Sequence, residues 1–116
     1  MKIVCITPDM EVSIVEVKEG VELSFLEAAT GGIPEFVHMA RLNQGYIMVV
    51  SGNGAIDGLP VNMFATWLYG GGSFIHGKAF FMKYGPDDEG GFDAIPFEEG
   101  EAEEFLNLLA SMCEQA

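Results

Sequence analysis

The order of apolar and polar residues in the first third of the chain predicts two strands and a helix. Lys2–Ile6 is almost wholly apolar and is followed by the turn residues Thr7-Pro8-Asp9, as expected for a buried strand. Residues 11–17 are rich in valine and isoleucine and are expected to form its hairpin partner. Apolar residues in 22–30, followed by Gly31-Gly32, predict a short helix that ends at the glycines.

The middle of the chain predicts two further strands and a second helix. Residues 36–42 and 46–50 are apolar and β-branched, and Asn43-Gln44-Gly45 between them predicts a tight turn that joins two strands. Residues 62–69 carry large apolar side chains at helical spacing, and we expect Pro60 in the first turn of this helix. The predicted buried stripe of the helix consists of Met63, Phe64, Trp67 and Leu68.

The last third predicts one strand, a loop and a final helix. Residues 74–83 indicate a strand interrupted at Gly77, and residues 84–96 are rich in Asp, Gly and Pro and indicate a loop. Apolar residues at helical spacing predict an acidic C-terminal helix at about 98–114. The order ββαββαβα predicts an α+β fold. We expect a small single-domain sandwich of residues 1–116, in which about three helices cover one face of a mainly antiparallel sheet.

The charge of the chain is strongly negative and uneven. The 116 residues include 18 acidic and 5 basic ones, a formal net charge of −13, and residues 87–116 contain no base. We therefore expect no direct binding to nucleic acid. Nine carboxylates fall within residues 87–104: Asp87, Asp88, Glu89, Asp93, Glu98, Glu99, Glu101, Glu103 and Glu104. One end of the molecule is expected to project a negative field.

The clustered acids allow two interpretations. Carboxylates at the start of a helix complement its dipole, and a charged surface keeps an apolar small protein soluble. Alternatively, the cluster mimics nucleic acid. The five carboxylates from Glu98 to Glu104 are spaced at ~1.8 Å of helix axis per charge. Duplex DNA carries one charge per ~1.7 Å. The two densities match over this short distance.

Known signatures of catalysis and metal binding are missing from the sequence. Glycine runs follow the predicted helices, whereas a phosphate-binding loop precedes one. His38 and His76 each stand alone within a predicted strand. The two thiols, Cys5 and Cys113, both lie at apolar positions and are expected to be buried and inert. We expect no enzyme activity, no metal and no cofactor.

The chain also lacks the features of a membrane or exported protein. No apolar run approaches the roughly 18 residues that cross a bilayer, and the N-terminus does not resemble a signal peptide. The two cysteines do not have the spacing of a disulfide framework, which is also typical of a protein that is neither exported nor bound to a membrane. We therefore expect a cytoplasmic protein with no membrane partner.

A family resemblance is carried by several short motifs. They are Gly58-Leu59-Pro60-Val61-Asn62 with Ala65, the strand-like Ile75-His76-Gly77-Lys78-Ala79-Phe80, and Asp88-Glu89-Gly90 near Phe92. In these motifs the chain resembles the family called domain of unknown function 3846, small proteins found mainly in phages, plasmids and other mobile elements. The resemblance implies an α+β fold and a mobile-element origin, and it supplies no catalytic residues.

Two functions follow as expectations. The first is a non-enzymatic host-interaction protein, an inhibitor of a bacterial defence or nucleic-acid-handling protein in the host cytoplasm. Its nine clustered carboxylates would bind a basic partner. The alternative is a small-ligand module for a nucleotide-like molecule, a homo-oligomeric sequestering protein that uses Gly58, Leu59, Pro60 and Asn62. In that case Asn62 would offer hydrogen bonds to the ligand, whereas it otherwise only caps a helix.

Overall fold

The structure, a computed structural model, describes residues 1–18, 23–42 and 45–114, and nine elements lie within them. The strands are β1 (Lys2–Ile6), β2 (Val12–Glu16), β3 (Pro34–Val37), β4 (Tyr46–Ser51), β5 (Ala79–Pro86) and β6 (Phe92–Ile95). The helices are α1 (Leu23–Thr30), α2 (Met63–Tyr69) and α3 (Glu101–Glu114). None of the described helices is both long and apolar enough to cross a bilayer.

The six strands form one antiparallel sheet in the order β2-β1-β5-β4-β3, and β6 also pairs with β5. Phe81 of β5 lies between Val4 of β1 and strand β4. Lys83, two residues later, lies between β4 and Ile95 of β6. Strand β4 pairs with one edge of β5 at both Phe81 and Lys83. The other edge of β5 pairs first with β1 and then, further along the strand, with β6.

The central strands β1, β4 and β5 bury apolar side chains on both faces, because successive residues of a strand point to opposite sides. One face presents Val4, Ile6, Met48, Val50, Ala79 and Phe81 to helices α2 and α3. The other presents Ile3, Cys5, Ile47, Val49, Phe80 and Met82, which pack with Leu26 of α1. We call these the α2–α3 face and the α1 face.

The predicted α+β fold with three helices and a mainly antiparallel sheet is confirmed. The expectation that all helices cover one face is wrong, because α1 lies on the face opposite α2 and α3. The physical reason is the two-sided apolar character of the central strands. A face without a helix would expose several large apolar side chains to water. This exposure costs about 25 cal/mol of free energy per Å² of apolar surface.

The predicted loop at residues 84–96 is also wrong in part, since it contains the end of β5 and the whole of β6. Tyr84 stacks on Phe92 across this hairpin, with ring centroids 5.5 Å apart. The predicted strand at 74–83 begins later, at Ala79. Gly77 therefore precedes the strand and does not interrupt it: its φ is +89°, and a Cβ there would lie 2.9 Å from Leu59.

Three smaller expectations change in the structure. The strand predicted at residues 36–42 is β3, which ends at Val37, so β3 and β4 are separated by more residues than the predicted tight turn contains. Asn43 and Gln44 of the predicted turn lie outside the described residues. Pro60 precedes helix α2, whose N-cap is Asn62. Met63 is 62% exposed and so is not part of the buried stripe, because α2 buries the face that carries Ala65 and Leu68. Phe64 and Trp67 are only partly buried.

Candidate functional site

The acidic segment (residues 87–104) begins at the turn between β5 and β6. The Asp87 carboxylate closes this turn, since its Oδ1 accepts the backbone N–H groups of Glu89 at 2.9 Å and Gly91 at 2.8 Å. The turn is thus fixed by its own first acid, and the side chains of Asp88 and Glu89 are exposed at its tip. Local hydrogen bonding therefore holds three carboxylates at one point of the surface.

The second half of the acidic segment precedes and begins α3. The Glu101 carboxylate accepts the backbone N–H of Glu98 at 2.7 Å and forms an ion pair with Lys83 of β5 at 2.8 Å. The hydrogen bond from Lys83 and then that from the Glu98 N–H hold the pKa of the Glu101 carboxyl below its usual value. Glu103 pairs more loosely with Lys2, at 3.6 Å. These two acids anchor α3 to the sheet.

Asp93 and the start of α3 lie on the same side of the sheet, the α2–α3 side. Lys83 points to that side, because it reaches Glu101 of α3. Gly85, two residues further along β5, faces the same way and pairs with Asp93 of β6. The Asp93 side chain therefore projects on the side that carries α3. Strand β6, which joins the turn to the helix, spans only about 10 Å.

Most of the predicted acidic site remains free of ion pairs. Within the described residues, seven of the nine carboxylates have no basic partner, and all seven are exposed: Asp87, Asp88, Glu89, Asp93, Glu98, Glu99 and Glu104. Like charges that lie close together repel one another. The segment therefore presents uncompensated negative charge that a basic surface would neutralise.

The alternative ligand residues are only partly brought together. Asn62 is fully buried: its Oδ1 accepts the Ala65 N–H, and its Nδ2 donates to the carbonyls of Ile6 and Gly77, each at 3.0 Å. No polar atom of this side chain is left for a ligand. Leu59 and Pro60 line a cleft of about 370 Å³, which Gly58 and Asn62 do not line. The ligand site at Gly58, Leu59, Pro60 and Asn62 stays a prediction, of which Leu59 and Pro60 line this cleft.

The electrostatics of this cleft do not favour a phosphate. Its opposite wall is the C-terminal end of α1, from Ala28 to Gly31, where helix carbonyls carry partial negative charge. Lys78 is the one basic residue that lines the cleft among those described. An anionic ligand would therefore be attracted by one lysine and repelled by the partial negative charge at the end of α1.

A polar cavity of about 200 Å³, which the sequence did not indicate, lies between β3, β4 and the segment before β5. Its polar lining includes Glu35, Ser51, Tyr69, Ser73 and His76. The His76 Nδ1 lies 2.8 Å from the Leu59 carbonyl, which can only accept, so Nδ1 carries the proton in the neutral ring. Because these residues come from four separate segments, no local spacing could have revealed the cavity. The described residues contain no cluster of three metal-ligating side chains.

The two cysteines differ, which corrects one expectation. Cys5 is buried as predicted, and desolvation raises the pKa of its thiol. Cys113 is exposed in the last turn of α3, although Met112 beside it still packs against the core. It borders a shallow apolar groove with Met10, Met63, Phe64 and Trp67.

Fold and site together define a small α+β domain whose sheet is covered on both faces and whose acids cluster at one end. The chain belongs to the family described as domain of unknown function 3846, which matches residues 1–110. No curated protein and no solved structure matches the chain.

Proposed function

We propose that this protein is a non-enzymatic inhibitor that binds a basic host protein through its acidic segment. The partner would be a nucleic-acid-handling or defence protein in the cytoplasm of a bacterial host. The observation that carries the proposal is the set of seven exposed carboxylates without a basic partner, within 18 residues that contain no Lys or Arg. The phage and plasmid setting that the family resemblance implies supplies the host.

Electrostatics would supply both recognition and speed in such a complex. A groove that binds nucleic acid is lined with Lys and Arg, which interact with phosphates spaced at about 1.7 Å per charge. The density predicted for Glu98–Glu104 on one helix is not met, because α3 begins at Glu101 and because Glu101 and Glu103 are paired with lysines. The seven unpaired carboxylates of the acidic segment would still be attracted by the same positive potential. Complementary fields also raise association rates, and this effect weakens as salt screens the charges. Glu101 and Glu103 would mainly hold the helix in place, since their charges are already paired.

The test reverses three acids that have no structural partner. Glu98→Lys, Glu99→Lys and Glu104→Lys are combined in one variant. The matched control combines Asp9→Lys, Glu11→Lys and Glu27→Lys, which are exposed acids outside the acidic segment. Both variants have the same net charge. Immobilised protein is used to capture nucleic-acid-binding proteins from a bacterial lysate, and duplex DNA is added as competitor.

We expect the parent and the control to capture a protein that duplex DNA displaces, and the segment variant to lose at least tenfold of this capture. The thermal midpoints of the two variants should stay close to that of the parent, because exposed charges contribute little to stability. Equal capture by both variants would contradict the proposal. So would capture that persists unchanged in molar salt.

A further inference from the structure

The sheet has three strands with an outer edge, and strand β2 is the least protected of them. Backbone hydrogen bonds join Val17 to Met1 and Thr7 to Glu11, so the odd-numbered residues of β2 face β1. The N–H and C=O groups of Val12, Ile14 and Glu16 therefore point away from the sheet. No described residue forms a backbone hydrogen bond with them.

The other two edges are blocked by their own residues. In β3 only Pro34 and Phe36 face outward, and Pro34 has no N–H to donate. In β6 the outward N–H of Ala94 is already bound by the Asp93 carboxylate at 2.8 Å, and Pro96 follows. Such prolines and inserted charges are the usual protection against edge pairing. Strand β2 (Val12–Glu16) has no proline, and its one charged residue, Glu16, stands at the end of the strand.

The side chains of β2 also favour a partner. Val12 is 50% exposed and Ile14 is 36% exposed, both on the α2–α3 side of the sheet. Valine and isoleucine are strong strand formers, and cross-strand pairs of such residues stabilise a sheet. Within the part of the chain that the structure describes, the edge thus offers three unpaired donors, three unpaired acceptors and an apolar stripe.

We propose that this edge pairs with β2 of a second copy of the chain, antiparallel and centred on Ile14. This goes beyond the inhibitor function and does not depend on it. In this register Ile14 lies opposite Ile14 of the other copy, and Val12 lies opposite Glu16. Each of the three outward residues then exchanges two hydrogen bonds with its opposite, which gives six across the interface. The two sheets continue as one.

The charges of the chain fit this two-fold arrangement. No two acids face each other directly, because Glu16 meets Val12. The acidic segment lies at the Glu16 end of β2, since Lys2 pairs with both Glu16 and Phe97. The antiparallel register separates the two Glu16 positions by about 14 Å along the strands. This exceeds the screening length of about 8 Å at physiological salt, so the negative ends of the two copies repel weakly.

Two substitutions of one residue test the register. Val12→Lys places a positive charge opposite Glu16 of the other copy, twice per dimer, whereas Val12→Glu places like charges there. By sedimentation equilibrium from micromolar to millimolar protein, we expect a concentration-dependent dimer. Val12→Lys should tighten it by roughly tenfold and Val12→Glu should weaken it by a similar factor. A monomer at every concentration, or equal effects of both variants, overturns the proposal.

Cysteine cross-linking tests the same geometry independently. The exposed Cys113 is first replaced by serine, which leaves only the buried Cys5. On mild oxidation, Ile14→Cys should give a covalent dimer, because opposite residues on the two-fold axis have Cα atoms about 5.5 Å apart. Val12→Cys is the control, since its two copies would lie about 14 Å apart. A covalent dimer from Val12→Cys, or none from Ile14→Cys, overturns the proposed register.

Discussion

At the scale of single residues, Asn62 joins three parts of the fold. Its side chain caps α2 through the Ala65 N–H and binds carbonyls at the end of β1 and just before β5. The Asn62 side chain is fully buried, and a buried polar group needs hydrogen-bond partners. The sequence offered a cap or a ligand contact as interpretations of Asn62, and the structure shows the cap.

Replacing this side chain should be costly. Asn62→Ala removes the cap and leaves two buried carbonyls and one N–H without their partner. We expect a loss of about 2–4 kcal/mol in the free energy of unfolding, measured by urea denaturation at constant m-value. Asn107→Ala, at an exposed site in α3, is the control and should change stability by less than about 0.5 kcal/mol. A loss no larger than the control's would refute this role.

At the scale of secondary-structure elements, α3 is attached to the sheet by a core and by a charged end. Ala102, Phe105 and Leu109 pack on the sheet, while Glu101 and Lys83 join the first turn to β5. The apolar contacts contribute most of the attachment, because a half-exposed ion pair is worth at most about 1 kcal/mol. The pair mainly determines where the helix begins.

The Glu101 contact makes this attachment weakly dependent on pH. The folded-state pKa of Glu101 is lowered, so its contribution is present above the pKa of the unfolded chain and is lost as pH falls through the folded pKa. Glu101→Gln should therefore lose less stability than the parent when thermal midpoints are compared between neutral and acidic pH. Glu104→Gln, which removes an unpaired carboxylate, is the control. Identical pH profiles for parent and Glu101→Gln would contradict the assignment.

The elements that the sequence predicted most accurately are those with a strong apolar period: strands β1, β2 and β4 and all three helices. Strands β3 and β5 were predicted too, but at shifted positions. Strand β6 was missed because its four residues are flanked by Asp, Gly and Pro, and its strand conformation depends on pairing with β5. The side of the sheet that α1 covers could not be predicted, since a period shows which residues are buried but not against which face. The acidic segment was visible in full, because exposed charge needs no tertiary contact to be recognised.

At the scale of the whole molecule, repulsion among the carboxylates of the acidic segment lowers the stability of the folded state. The net charge is −13, and seven carboxylates of the acidic segment have no basic partner among the described residues. We expect moderate sodium chloride to raise the thermal midpoint by screening this repulsion. The variant with Glu98→Lys, Glu99→Lys and Glu104→Lys should respond to salt less than the Asp9, Glu11 and Glu27 control. An equal or larger response would show that the repulsion lies elsewhere.

The central position of β5 has a consequence for synthesis of the chain. Phe81 of β5 lies beside Val4 of β1, 77 residues earlier, so the first hairpin cannot complete its sheet until most of the chain has left the ribosome. At translation rates of about 5–20 residues per second, this wait lasts roughly 4–15 s. During it, α1 can cover one surface of the hairpin of β1 and β2, but the surface that carries Val4 and Ile6 lacks its native neighbours α2, β5 and α3. Nascent-chain chaperones would therefore find Val4 and Ile6 of this hairpin exposed until β5 is made.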